Sequence, residues 1–208
     1  GLPKDLSFRN PVHIVSLSDA EVRDAHFETD AALDHYFYHP NTAPFLAIRF
    51  AQRFGISNPS PRYIESIAES FTKGSYPYRA DGSAVEFGSG KYGDLAATVA
   101  CVLLDREARN TVLDADASHG QMKEPLMKVI GLMRSMEFKL SDKVAFVVFR
   151  SAMARLIGQM AHEIPDVFSY FKPEDKPSGP VTQASLVSPE GIVTSGSSIL
   201  SLLNGMFS

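Results

Sequence analysis

Asn41-Thr42-Ala43-Pro44-Phe45-Leu46-Ala47-Ile48-Arg49-Phe50-Ala51-Gln52-Arg53-Phe54-Gly55 reads as a helix with both ends marked. Asn or Thr caps the first turn, and Pro is tolerated there because its missing N–H would lack an intrahelical partner anyway. Phe45, Ile48, Phe50, Ala51 and Phe54 recur at helical spacing, and Gly55 supplies a stop. Asn58-Pro59-Ser60-Pro61 then makes a rigid turn, ending in a cap and a Pro at the first position of the next helix. Tyr63, Ile64, Ile67, Ala68 and Phe71 form the apolar stripe of that helix. Two helices in succession, each with its own start signal, predict a helical domain.

The flanks extend this pattern. Upstream, Ser18-Asp19-Ala20-Glu21 reads as a capping box, and the helix it opens runs through Leu33, Tyr36 and Phe37 until Pro40 stops it. Residues 1–17 lack helical periodicity; Val12-His13-Ile14-Val15 allows a short strand, which would need a partner. Downstream, Gly, Ser, Tyr, Pro and Asp dominate residues 73–93, which read as a flexible loop. Asp94 caps an Ala-, Val- and Leu-rich helix to Leu104, extending toward Arg109, and its nearly uniform apolarity predicts a central position. Asp114 to Gly120 is a polar break, and Glu124-Pro125 opens a helix carrying Leu126, Val129, Ile130, Leu132 and Met133. Val144 to Met160 is the next apolar segment, with strand as the competing reading for Val144 to Phe149. Prolines then suit residues 166–208 to an extended wrap, with a short helix near Val181 to Leu186 and a last one over Ser198 to Met206.

The expected fold class is therefore all-α: an irregular bundle of about seven helices with long Pro/Gly-rich loops and room for one short N-terminal strand. The expected organisation is an irregular segment over 1–17, a helical domain over 18–165 with the loop 73–93 inside it, and the Pro-rich wrap over 166–208. The expected core is Phe45, Ile48, Phe54, Ile64, Ile67, Leu95, Val99, Val102, Leu126, Ile130, Met133, Val147 and Met153.

The 208 residues are 44% hydrophobic and 21% charged, ordinary for a globular chain with a core of its own. A net charge of −4, spread along the chain, offers no field for nucleic acid or an anionic membrane. The apolar runs are too short for a transmembrane segment. No N-terminal stretch has the form of a signal peptide, but a start at Gly1-Leu2-Pro3 suggests a processed product. The single cysteine, Cys101, lies in an apolar run and reads as a core residue.

Several constellations bear on chemistry. Arg49 and Arg53 are four apart on the polar flank of their helix, a spacing that could clamp a carboxylate, phosphate or sulfate. The plainer and favoured reading is an ion pair with Glu124, Asp94 or Asp105, all acids at helix ends, tying helices together. Glu124 paired with Asp94 or Asp105 would suit acid/base work, yet carboxylates are common here, 24 in all. His35 and His39, with Asp30 and Asp34 nearby, have the spacing for a metal on one helical face, but helix-end histidines meeting the last carbonyls are the better reading. Gly88-Ser89-Gly90-Lys91 fails as a phosphate loop, with Val85 where a Gly is needed and Tyr92 after the Lys. No motif calls for a cofactor or a metal, and none offers a stacking platform for nucleic acid.

The segment His39-Pro40-Asn41-Thr42-Ala43-Pro44-Phe45 with Arg49, Gln52-Arg53-Phe54 and Ser57-Asn58-Pro59-Ser60-Pro61-Arg62-Tyr63 resembles the signature of the domain-of-unknown-function 1800 family. Three later blocks follow in that family's order: Gly93-Asp94-Leu95 leading to Leu103-Leu104-Asp105-Arg106-Glu107-Ala108-Arg109, then Lys123-Glu124-Pro125-Leu126, then Leu186-Val187-Ser188-Pro189-Glu190. Lys123 stands where the family usually has Arg, and the last block resembles the tail of eukaryotic, algal-type members. The similarity runs from Thr29 to Met136 and more weakly beyond. It implies a mainly helical, secreted or envelope protein of which this chain is the C-terminal part, and it marks His39, Asn41, Pro44, Asn58, Pro59 and Pro61 as structural motif positions. It implies no chemistry.

Two functions remain in view. One is a structural or interaction module whose partner is the remainder of the parent protein or another chain. The other is part of an enzyme acting on an extracellular polymer, with a site completed by residues outside this chain. Residues 1–17 are expected to be held by a partner segment.

Overall fold

The computed structural model describes residues 22–80, 82–139, 153–160, 163–167, 169–194 and 196–207. The strand option at 12–15, the capping box at 18–21, the held segment 1–17 and the apolar start at 144–149, Val147 included, lie outside them.

The chain divides into two compact units, one of residues 1–50 and 61–101, the other of residues 51–60 and 102–208. The first unit holds helix α1 (Val22–Phe37), the first part of α2 (Thr42–Phe54), α3 (Pro61–Lys73), strands β1 (Tyr76–Ala80) and β2 (Ser83–Phe87), and most of α4 (Leu95–Leu104). Pro61 opens α3 because its fixed φ suits a first helical turn. Tyr63, Ile67, Ser70 and Phe71 form its buried face at helical spacing. Past Lys73 the chain turns at Gly74, and β1 and β2 pair antiparallel from Tyr76↔Phe87 to Ala80↔Ser83.

That hairpin corrects the all-α expectation. The stretch read as a flexible loop carries a two-stranded sheet, and the helices outnumber the seven expected. The signal for the hairpin is local. Asp81-Gly82 is a pair favoured by two-residue hairpin turns, and Tyr76, Tyr78, Val85 and Phe87 alternate with smaller or polar neighbours, placing them on one face.

An aromatic cluster fastens the end of α1 to α3 and to the loop before α4. The rings of Phe37 and Tyr92, and of Phe71 and Tyr92, meet edge to face at 5.1 Å. The Tyr92 hydroxyl donates to the Phe37 carbonyl at 2.9 Å, and Gly93 N–H donates to Phe71 O. Burial pushes the Tyr92 hydroxyl's pKa up, and neighbouring Tyr38 adds to the rise.

The second unit begins with the end of α2 and continues through the single turn α5 (Arg106–Arg109), a 3₁₀ turn at Thr111–Ala115, α6 (Pro125–Ser135), α7 (Met153–Ile157), the single turn α8 (Pro180–Gln183), a 3₁₀ turn at Pro189–Gly191 and α9 (Gly196–Phe207). α7 packs against α6 and α9 and buries Met153 and Ile157. The helix expected to run from Asp94 toward Arg109 breaks at Asp105, whose carboxylate turns to cap α5 by accepting from Glu107 N–H at 2.8 Å.

Burial corrects the expected core in a regular way. Ile67, Val102 and Met153 are buried, but Phe45, Ile48, Phe54 and Leu95 are exposed. α2 instead buries Ala43, Ala47 and Ala51, four apart on one face, with Phe45 nearly opposite at 3.6 residues per turn. α4 likewise buries Ala97, Thr98, Ala100, Cys101 and Val102 and exposes Leu95 and Leu103, so it is not enclosed all round. Small side chains admit close approach of a neighbouring backbone, which large rings on the same face would prevent.

Candidate functional site

Glu124 stands at the start of α6 in an extended conformation and makes no capping bond with its side chain. Pro125 follows and has no N–H, so the first donor left without an intrahelical partner is Leu126 N–H. Gln159, fully buried, meets it: its Oε1 accepts from Leu126 N–H at 2.9 Å. The other half of the same amide donates from Nε2 to Glu124 Oε2 at 2.7 Å. Glu124 Oε1 then pairs with Arg53 Nη1 at 3.2 Å, at the last turn of α2. The carboxylate is 10% exposed and the guanidinium 55%, so the pair has one buried and one wet end.

A second polar layer in this unit gathers segments far apart in sequence. Gln52 Nε2 donates to the carbonyls of Ser57 at 3.2 Å and Pro173 at 3.3 Å. Gln121 Nε2 donates to Gln52 O at 2.7 Å and to Glu190 Oε1 at 2.5 Å. Asn58 pairs with the backbone of Val187 in both directions, Nδ2 to O and N–H to Oδ1, each at 2.9 Å. Ser57 N–H donates to Gly120 O at 2.9 Å. The turn after α2 is thus bonded along its length to residues 120–121, 173 and 187.

The remaining residues singled out in the sequence have contacts of their own. Arg49 lies with its guanidinium carbon 5.0 Å from the Phe45 ring centre, a cation–π contact. Asp94 accepts from Ser89 Oγ at 2.6 Å, Ser89 N–H at 2.8 Å and Ala97 N–H at 2.9 Å. Those donors, Ser89's hydroxyl foremost, hold its pKa down at about 2. Asp105 is buried and caps α5, while Ser60 donates through both N–H and hydroxyl to the carboxylate of Glu107. His39 Nδ1 accepts from Asn41 N–H at 3.1 Å, closing the turn before α2, and lies with its ring centre 6.3 Å from that of His35. Pro40, Pro44 and Pro61 line an open groove of about 680 Å³ in the first unit, together with Ala43, Ile64 and Ala68. Pro59 occupies the turn between α2 and α3, half-buried.

Of the acids and arginines proposed together, the structure pairs Arg53 with Glu124, while Asp94 accepts from Ala97 N–H at the start of α4 and Asp105 from Glu107 N–H at the start of α5. Both oxygens of Glu124 are engaged, one by a cation and one by an amide, which suits a structural tie better than proton exchange with a substrate. Among the described residues no group of three or more His, Cys, Asp or Glu could hold a metal, and no helix is long and apolar enough to cross a membrane. The amides Gln52, Gln121 and Gln159 and the acid Glu190 escaped the sequence reading. Gln52 and Glu190 lie inside the motif blocks quoted above, which was a usable signal; Gln159 follows Gly158 in no pattern at all.

A family model described as Protein of unknown function (DUF1800) matches residues 13–190. No curated protein and no solved structure matches the chain.

Proposed function

Because this chain belongs to the domain-of-unknown-function 1800 family, which brings no reaction with it, we propose a reading drawn from the chain's own surface: a non-catalytic interaction module of a secreted or envelope protein. The observation that carries it is the exposure of large apolar side chains on α1 and on α2. Leu33, Tyr36 and Phe45 are 61%, 71% and 50% exposed, and Ile48 stands exposed one turn from Phe45. Large apolar side chains left exposed on helices are what a protein partner covers. The partner is the remainder of the parent protein or another chain. The extracellular or envelope setting follows the family resemblance, and the native protein is expected in the medium or envelope fraction rather than the cytosol.

A photo-crosslinking amino acid at Phe45 tests the reading in the native host, with the same group at exposed Lys128 as a control. A discrete protein adduct from position 45 and none from 128 supports it. Turnover of an extracellular polysaccharide or peptide substrate that disappears in Glu124→Gln would instead establish the enzyme reading, in which that carboxylate acts on substrate.

A further inference from the structure

The polar layer around Gln121 has more acceptors than donors. Glu190 is 3% exposed on its 3₁₀ turn, and that turn is held in place by Thr194 Oγ1 donating to Glu190 O at 2.8 Å and by Gly191 N–H donating to Ser188 O. Its Oε1 takes one hydrogen bond, from Gln121. Its Oε2 is buried and, among the described residues, has no hydrogen-bond partner, and the same is true of Gln52 Oε1. Neither amide can turn over to help. Reversing Gln52 would set its oxygen against the carbonyls of Ser57 and Pro173, and reversing Gln121 would set its oxygen against Gln52 O and Glu190 Oε1. Both orphan oxygens thus belong to the two residues that Gln121 Nε2 bridges. A buried carboxylate with half of its oxygen pair unmet is costly to leave so.

We propose that these oxygens bind an alkali-metal cation, Na⁺ or K⁺. The ligands are all hard oxygens: one carboxylate, one side-chain amide, and main-chain carbonyls of Gln52, Ser57 and Pro173 that each retain a second lone pair. The charge decides against a divalent ion. Glu190 brings a single negative charge, and among the described residues it stands in no group of three or more His, Cys, Asp or Glu suited to a metal. A singly charged ion neutralises it, and needs no directed hydrogen to do so. The site ties the turn after α2 to residues 121, 173 and 190, so its occupancy stabilises the second unit.

The test is thermal unfolding of the 208-residue chain in choline chloride, NaCl, KCl and CaCl₂ at equal ionic strength. NaCl or KCl is expected to raise Tm over choline chloride saturably, by about 3–6 °C at ten times the half-saturating concentration. Glu190→Gln should abolish the alkali-dependent rise without lowering Tm in choline chloride, since it removes the buried charge that the ion neutralises. Arg53→Met, which alters charge beside a different carboxylate, should leave the rise intact. If Glu190→Gln does not fold, Gln52→Met should raise the half-saturating concentration about tenfold. Equal Tm in choline, Na⁺ and K⁺, a rise with Ca²⁺ alone, or a rise that persists in Glu190→Gln overturns the proposal.

Discussion

A methyl group added at Gly74 would sit 1.9 Å from the Lys91 carbonyl oxygen, in a residue that already has φ of +67°. Gly74 O accepts from Gly90 N–H while its own N–H caps the end of α3 at Ser70 O, so the backbones cannot separate without breaking the hairpin's base. Gly74→Ala is expected to destabilise by at least about 2 kcal/mol, read by denaturant unfolding. Gly82→Ala, at φ of +80° but with nothing within 4 Å, should cost only about 1 kcal/mol. Asp94 gives the pH prediction. Its folded pKa of about 2 is depressed from the ordinary carboxylate value. Its contribution to stability is therefore full above the unfolded pKa and is lost as pH falls through the folded one. A carboxyl NMR titration should find the midpoint near 2, and Ser89→Ala should move it upward, while Asp94→Asn should flatten the acid limb of the stability curve.

Helix α2 shows why a periodic apolar pattern does not name its buried side. Its sequence offers two apolar faces, one of alanines and one led by Phe45 and Ile48, and the alanines are buried. Ala47→Leu is expected to cost about 1–3 kcal/mol through overpacking. Phe45→Gln should shift stability by no more than about 0.5 kcal/mol, while weakening retention of the partner. The start of α6 makes the complementary point about polar groups. Gln159→Leu leaves Leu126 N–H and one oxygen of Glu124 unmet in a buried place, and should cost at least about 2 kcal/mol by chemical denaturation. Arg53→Met should cost about 1 kcal/mol or less and lose its effect in high salt, because the guanidinium end is more than half exposed.

Across the second unit the turn after α2 acts as a seam. Asn58 and Val187 are far apart in sequence yet share two hydrogen bonds, and Gln52 and Gln121 extend the seam to residues 173 and 190. Asn58→Ala should release this hold, so limited proteolysis is expected to nick the chain near Val187 well before the wild type is cut. Much of the helical layout was legible beforehand. Pro, Gly, Asp and Asn mark starts and stops through their own backbone sterics and short-range bonds, and the structure begins α3 at Pro61, α4 after Asp94 and α6 at Pro125. The hairpin is legible as well, in Asp81-Gly82, but the Gly, Ser, Tyr and Pro around it carry the composition of a loop. The family, too, was readable from rare Pro- and Asn-containing blocks, because such residues tolerate few replacements where φ is restricted. Which helix face is buried, which acid meets Arg53, and which amides complete Glu124 and Glu190 could not be read the same way. Those outcomes depend on segments 35 residues apart (Glu124 and Gln159) or 69 apart (Gln121 and Glu190) arriving at one place. A glutamine carries no periodicity or backbone preference that says which distant carbonyl it will meet.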